Sequence, residues 1–510
     1  MNRSCYLILG DQLNWDSLVW ESIDAENDVV LMCEVLNASL KPRSSKQRTT
    51  LFLSAMRHFA QEVKDKGYPL IYYSLSYELA DFSDALSKAK CEEGFDRLVA
   101  VLPGDAEVLS ELKRFAQSES VHFDCLEDRH FIARPGEFTE WLKGRKQPRM
   151  EYWYRVLRKR TGILMINGEP AGGQWNYDAD NRKSFGKEGP HIKHPPHRFR
   201  PDKITQTVRE EIDQYLPDLA GELPHFEWPV TRDEALLALD DFIEHRLPEF
   251  GDVQDAMWTD EPWLNHSLIS SSINLKLLNP MEVIQAAEQA YFDEKAPLNA
   301  VEGFIRQILG WREYVRGLYW SHKDDWLSMN ALDAHNELPP AYWGEDTHMT
   351  CMSHACDQVL KEGYGHHIQR LMVTGLFSLL WEVKPTLIHE WYLGMYVDAV
   401  AWVEIPNTIG MSQYADGGIV GSKPYIASGN YVSKMSNYCK SCRYNPKKAS
   451  SDDACPMTTL YWAFIHKHQE RLSQNPRLAM QVKHWYRKED TEQDAILERA
   501  KWLHNHPDQL

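Results

Sequence analysis

The sequence predicts a chain of two unlike parts, a doubly wound parallel α/β sheet followed by an all-α region. Three observations predict it. Residues 1–135 alternate strand-like and helix-like runs. Residues 136–225 are less regular and carry Gly172-Gly173 and prolines at 195, 196 and 201. From residue 226 to 510 the apolar residues recur at helical spacing. A chain of 510 residues is also too long for a single core.

The strand-like runs are Cys5–Leu9, Val29–Val35, Leu70–Leu75, Leu98–Leu102 and Val121–Cys125, with helices over Leu51–Lys66 and Ala106–Ala116 between them. Ligands of such sheets sit beyond the carboxyl ends of the strands. The first strand ends in Gly10-Asp11-Gln12, and no G-x-G-x-x-G dinucleotide fingerprint follows it. Residues 136–225 read as an interdomain linker, with a short basic helix over Arg149–Arg160. Amphipathic helices are expected at Ala235–Arg246, Pro280–Tyr291, Val301–Tyr319, His354–Leu360 and Pro385–Tyr396.

Composition narrows the function classes. Hydrophobic residues are 43% and charged residues 25%, ordinary for a globular protein. The apolar start is too short for a signal peptide, and no stretch reaches the roughly 18 apolar residues of a membrane span. A soluble, cytoplasmic, monomeric protein is expected. Net charge is −18, which argues against a nucleic-acid coat protein. Residues 143–203 nevertheless hold 15 Lys and Arg against 6 Asp and Glu, a local charge of +9. Such a stretch is either a phosphate-holding surface or a solvated linker.

Nine cysteines are too few for a disulfide scaffold. Cys439-x2-Cys442-x12-Cys455-Pro456 has metal-ligand spacing. A four-ligand centre needs one more thiolate, and Cys351 and Cys356 are the nearest free candidates. Zinc and an iron–sulfur cluster both accept four thiolates, and buried thiols are the plainer alternative.

Three further stretches matter together. Leu264-Asn265-His266-Ser267-Leu268-Ile269-Ser270-Ser271-Ser272 is a hydroxyl-rich helix start able to hold a pyrophosphate, or a capped helix and no more. Phe304-Ile305-Arg306-Gln307-Ile308-Leu309-Gly310-Trp311-Arg312-Glu313-Tyr314 is an amphipathic helix with aromatics. The third runs from Gly365-His366-His367-Ile368-Gln369-Arg370 to Tyr431 and contains Trp391, Asp398, Glu404, Asn407 and Gly417-Gly418.

Their order and spacing resemble the FAD-binding half of photolyases and cryptochromes, and the N-terminal sheet resembles the antenna-binding domain of that family. The likeness covers nearly the whole chain. It is closest to the bacterial iron–sulfur photolyase and cryptochrome proteins, the prokaryotic (6-4) photolyase branch. That branch is marked here by Gly-Asp-Gln-Leu at 10–13, Ala-Met-Arg-His-Phe-Ala at 55–60, Asn-Ala-Val-Glu-Gly-Phe-Ile-Arg-Gln at 299–307 and the cysteine pattern.

The resemblance implies light-driven repair of UV-damaged DNA at the (6-4) photoproduct. Its alternatives are a blue-light photoreceptor and a cyclobutane-dimer photolyase; a zinc-stabilised nucleic-acid-binding protein is the reading outside the family. FAD is expected at Ser267, Leu268, Ser270, Arg370, Asp398, Glu404 and Asn407, with Arg370 and Asp398 as the charged pair beside the ring. His367 is the expected proton donor with His366 assisting, and Tyr425 and Tyr431 are expected to receive the lesion. Trp343, Trp391 and Tyr392 are the expected electron relay. A 4Fe-4S cluster is implied on Cys351, Cys439, Cys442 and Cys455. A 6,7-dimethyl-8-ribityllumazine antenna is implied near Asp11 and Glu34, and a divalent cation (Mg2+) near Asp255.

Three departures stand out, the first being that the tryptophan relay of the better-known photolyases is not recognisable here. The Ser-Arg-Leu-Ser-Pro core of better-known photolyases is Asn-His-Ser-Leu-Ile-Ser here, and their flavin-facing asparagine aligns with Glu404, a group able to exchange protons.

Overall fold

The computed structural model describes residues 3–145 and 147–510. Five short strands, β1 (Ser4–Leu7), β2 (Val29–Cys33), β3 (Leu70–Tyr73), β4 (Arg97–Val101) and β5 (His122–Leu126), form one parallel sheet in the order β3-β2-β1-β4-β5. All five lie where the apolar runs predict them. Alternation of side chains sends Tyr6, Val30, Met32 and Val99 to one face and Cys5, Leu7, Val29, Leu31 and Leu98 to the other. Both faces are covered, as a parallel sheet requires. Helices Phe82–Glu93 and Ala106–Ser118 cover one side through Ala85, Leu86, Leu112 and Phe115.

Helix Lys46–Asp65 covers the other side and joins the two parts of the chain. It starts where Ser45 caps it, its hydroxyl accepting from Arg48 N at 3.1 Å. Ser45 also donates its backbone N–H to Gly394 O (2.8 Å) and its hydroxyl to Met395 O (3.0 Å). Gly394 must be glycine at this crossing, because a Cβ there would stand 2.2 Å from Arg43 O. The contact anchors the segment that leads into Asp398.

Residues 136–225 are more ordered than a linker. They carry most of Pro135–Leu142, then Met150–Thr161 and Lys203–Tyr215. Phe138, Trp153, Tyr154, Leu157, Val208 and Ile212 are buried in the same core as the helical region. Basic residues masked this in the sequence: Arg158, counted there as surface charge, is fully buried and donates to the carbonyls of Ile163, Leu164 and Trp175.

The rest is helical. Arg232–His245 begins with Thr231 and Glu234 in a reciprocal cap, and Pro280–Phe292 begins with Asn279, Pro280 and Glu282 in another. The predicted helix over 301–319 is interrupted: Leu298–Ile305 and Glu313–Ser321 flank a π-helical segment, Arg306–Arg312. Two more π-helical segments, Arg370–Thr374 and Pro406–Ser412, lie beside predicted site residues. Such widened turns are frequent at functional sites.

Candidate functional site

The site is built around the turn 365–370. Arg370 makes a bidentate pair with Asp398, Nη1 to Oδ1 at 2.9 Å and Nη2 to Oδ2 at 3.1 Å. Ser270 Oγ donates to the same carboxylate (2.7 Å), and Asn274 Nδ2 donates to Asp398 O (2.8 Å). Arg370 Nε donates to Gly365 O, and its guanidinium lies 4.0 Å from the centroid of Tyr396. Burial works against the Arg370 charge, but Asp398 outweighs it and raises its pKa. Ser270 is therefore a support of the Arg370–Asp398 pair, and its hydroxyl proton is already engaged.

Three histidines gather on the other side of this turn. The His366 ring stacks on His266, centroids 4.5 Å apart and planes 16° from parallel. His366 is buried, and neither ring nitrogen has a hydrogen-bond partner. Burial, then His266, His367 and Arg370, push its pKa well below the ordinary value. Burial and His367 lower His266 to about 3. The ring of His367 is accessible although protein surrounds it on most sides, and desolvation with Arg370 lowers it to about 4. Its exposure tempers that effect relative to His366. All three are neutral at pH 7 in the protein as it stands. The sequence reading missed His266, although a histidine amid the hydroxyls of 265–272 was the available signal.

Further buried polar atoms are open here. Ser271 Oγ, Ser272 Oγ and Glu404 Oε1 are buried without partners. Buried polar groups are normally hydrogen-bonded, so each of these open atoms is a candidate ligand contact. Glu404 Oε2 pairs with Nδ1 of buried His389. Burial opposes the His389 charge and Glu404 more than offsets it, so its pKa is raised. Ser267 and Leu268 line a small cavity with Arg246, Trp228 and Arg198. Asn407 Nδ2 donates to Val403 O (2.7 Å), which leaves its amide oxygen available. Open hydroxyls, an open carboxylate oxygen and an anchored arginine are the donors and acceptors that a flavin dinucleotide needs, so the residues fit FAD.

An aromatic chain leads away from the pair. Tyr396 stacks on Tyr392 (5.1 Å), Tyr392 meets Trp391 edge-on (5.4 Å), and Trp391 meets Tyr342 edge-on (5.1 Å). Trp343 follows Tyr342 and is 47% exposed. Tyr342 and Tyr396 were not legible in the sequence as members of this chain.

Tyr425 and Tyr431 are half-buried, and Arg182 acts electrostatically on both. Burial and Asp255 raise Tyr431 to about 12. Burial and Asp178 raise Asp255 to about 6, against Arg182 and Arg306. The structure thus gathers both tyrosines, Asp255 and part of the basic stretch. Phe250, on the helix leading to Asp255, packs edge-on against His266 at 5.7 Å.

Cys351, Cys439, Cys442 and Cys455 line one cavity with Gly429, Tyr438 and Met457. Burial raises the Cys351 thiol, and the next causes are Cys455, Cys439 and Cys442. Cys356 stands apart, its thiol raised by burial and Asp357 alone. A Cβ on Gly429 would stand 2.7 Å from Cys455 Sγ, so the cavity requires glycine there. Among the described residues, no three His, Cys, Asp or Glu side chains stand in a geometry that holds a single metal ion. Thiolates on one zinc lie within about 4 Å of each other. The four thiols that line this cavity are the donor type that either zinc or an iron–sulfur cluster accepts.

The antenna residues divide. Glu34 accepts from Arg57 Nε (2.7 Å) and Nη2 (2.8 Å), Tyr72 OH (2.5 Å) and Leu75 N (2.8 Å), and its side chain is 0% exposed. A carboxylate has about four acceptor positions. Glu34 is full and cannot receive ribityl hydroxyls, which corrects its expected role: a buried ion pair ties β2 to helix Lys46–Asp65. Asp11 keeps an accessible edge, and burial raises its pKa. No helix among the described residues is long and apolar enough to cross a membrane.

A five-stranded parallel sheet joined to a helical region is the arrangement expected of a photolyase, and the comparisons place the chain in that class. Residues 6–228 match the family described as "Deoxyribodipyrimidine photo-lyase-related protein". The chain is 44% identical over 500 residues to a (6-4) photolyase of Agrobacterium fabrum, covering 98% of each. Uncharacterized protein R855 of Acanthamoeba polyphaga mimivirus is 33% identical over 100 residues, 20% of this chain and 74% of that one. The crystal structure of a bacterial class III photolyase from Agrobacterium tumefaciens superposes with a TM-score of 0.55 at 16% identity, covering 85% of this chain and 86% of that chain, which bears on the fold alone. The chain belongs to the photolyase-related family.

Proposed function

We propose that this protein binds FAD and UV-damaged DNA and uses light to restore (6-4) pyrimidine photoproducts. The observation that carries the reading is the full-length relation to a (6-4) photolyase. The open, stacked histidines beside Arg370 are the geometry that supports it.

Reduced FAD, when bound, supplies the light absorption and the electron. The chain's own residues do the rest. Arg370 and Asp398 fix the ring and balance its negative charge. The open hydroxyls of Ser271 and Ser272 join Ser267 and Leu268 at the pyrophosphate. Glu404 Oε1 and Asn407 face the cofactor, with His389 holding the other Glu404 oxygen. Tyr425 and Tyr431 receive the lesion once it leaves the duplex stack. His367 delivers the proton, and buried His366 sets its charge. The negative charge of the lesion's phosphates favours the protonated, donating form of His367. Trp343, Trp391 and Tyr392 carry electrons between solvent and flavin, with Tyr342 and Tyr396 in the same chain.

The four cysteines hold a 4Fe-4S cluster. A ribityllumazine antenna lies at Asp11 in the N-terminal domain, and Mg2+ binds at Asp255 beside the DNA. The protein works in the cytoplasm as a monomer.

The test is illumination of the reduced holoprotein with a duplex carrying one (6-4) photoproduct, beside a dark control. Restored bases in the light alone confirm the reading. A flavin that photoreduces without repairing this lesion or a cyclobutane dimer makes the protein a photoreceptor. Zinc in a colourless protein overturns both.

A further inference from the structure

The turn Met435–Lys440, which carries Cys439, is fastened to three segments that border the proposed lesion pocket. Gln369 Nε2 donates to Tyr438 OH at 3.3 Å. The same amide exchanges two hydrogen bonds with Gln358 (2.9 and 3.1 Å), on the helix Thr350–Glu362 that begins beside Cys351. Gln369 Oε1 accepts the backbone N–H of His366 at 3.1 Å. The turn bearing both pocket histidines is thus capped by a side chain fastened to two cysteine-bearing elements.

A second arm reaches the Asp255 loop. Met435 O accepts from Met257 N (2.8 Å). Asn437 clasps Thr259 twice, accepting from its N–H (2.9 Å) and donating to its hydroxyl (2.7 Å). A third reaches the basic stretch. Lys440 lies 5.1 Å over Trp258, whose ring meets Phe185 at 6.0 Å and packs where a Cβ on Gly189 would stand at 2.7 Å. By contrast, the Arg370–Asp398–Ser270 group makes no hydrogen bond to this turn among the described residues.

We propose that the cysteine site positions the lesion pocket through this turn, with Gln369, Asn437 and Trp258 as positioning residues, so that cluster state and DNA affinity are coupled. This rests on reading the four cysteines as a cluster and the 365–370, 255–259 and 182–189 surfaces as the DNA site. Coupling of this kind is reciprocal: duplex that favours one arrangement of the turn favours one redox state of the cluster bound to it.

The experiment uses the holoprotein and its Gln369→Met and Asn437→Ala variants, which keep all four cysteines. Iron and FAD content, affinity for a (6-4) duplex, and the cluster's reduction potential with and without saturating duplex are measured. In the parent the potential shifts by about 59 mV, the one-electron equivalent of a tenfold coupling. Both variants keep iron and FAD, bind the duplex about tenfold more weakly, and lose the shift. Parent-like affinity in both variants overturns the proposal, with or without iron. So does a shift that survives in them, because the DNA charge then acts through space alone. Failure of the photolyase reading looks different: the parent itself repairs nothing in the light.

Discussion

Two buried carboxylates, one in each part of the molecule, show what separates framework from site. Glu34, at the end of β2, has four hydrogen bonds from Arg57, Tyr72 and Leu75 and no lone pair to spare. Glu404, in the helical region, has one oxygen on His389 and the other bare. Ser271, Ser272 and both nitrogens of His366 share that condition. A saturated buried charge specifies a fold. An unsaturated one costs stability, about 1–3 kcal/mol for each open group, and persists where a ligand completes it.

The contrast can be broken first at Glu34. Glu34→Ala leaves the Arg57 charge half-buried beside Glu211 alone, and a loss of about 3 kcal/mol is expected in denaturant titration. FAD content should stay at the parental level. Asp398→Ala is the matched change in the other region. It strips Arg370 of its partner, and it should lower FAD content sharply along with stability.

His366→Leu sharpens the comparison in the opposite direction. It removes two unpartnered nitrogens from a buried position, so thermal stability should hold or rise by about 1 kcal/mol. Light-driven repair should fall by about a hundredfold or more. A variant that loses both together would mean that His366 is a framework residue.

The pH dependence follows from the same histidines. Their pKa values in the folded protein lie below the unfolded value near 6.5, to about 3 for His266 and about 4 for His367. For a depressed histidine the unfolded chain binds the proton first. Stability is therefore complete above pH 6.5 and is lost as pH falls from there toward 4 and 3. Replacing His266 with Phe should flatten that acid limb, read as Tm against pH. His389 has the opposite sign. Its raised value means that the stability of the Glu404 pair is present below pH 6.5 and is lost as pH rises through the folded value.

The smallest effect is expected at the surface. Trp343→Phe should change stability by less than about 0.5 kcal/mol, because the ring is half exposed, while slowing flavin photoreduction by external reductant.

The sheet was legible because its central strands, β1, β2 and β4, are buried on both faces and so read as apolar runs. The cysteine set was legible because ligand spacing is local for three of its four members. What escaped shares a cause: it is made by contacts between distant segments. The His266–His366 stack joins residues 100 apart in sequence, and no periodicity announces it. The π-helical segments keep enough helical spacing in their apolar residues to pass for ordinary helix, as Val301–Tyr319 did. Glu34 was misread because a carboxylate at a strand end looks the same in sequence whether its partners are a ligand or Arg57. The buried Arg158 was counted as surface for the same reason.

The most direct measurement is FAD stoichiometry in the Ser271→Ala/Ser272→Ala double variant, set beside Glu34→Gln and the parent. If open buried atoms mark the cofactor's place, the double variant folds with parental or higher stability and purifies with little flavin, while Glu34→Gln is less stable and fully loaded. A double variant that holds FAD as tightly as the parent would contradict the account, because those hydroxyls would then be open for a reason other than the flavin.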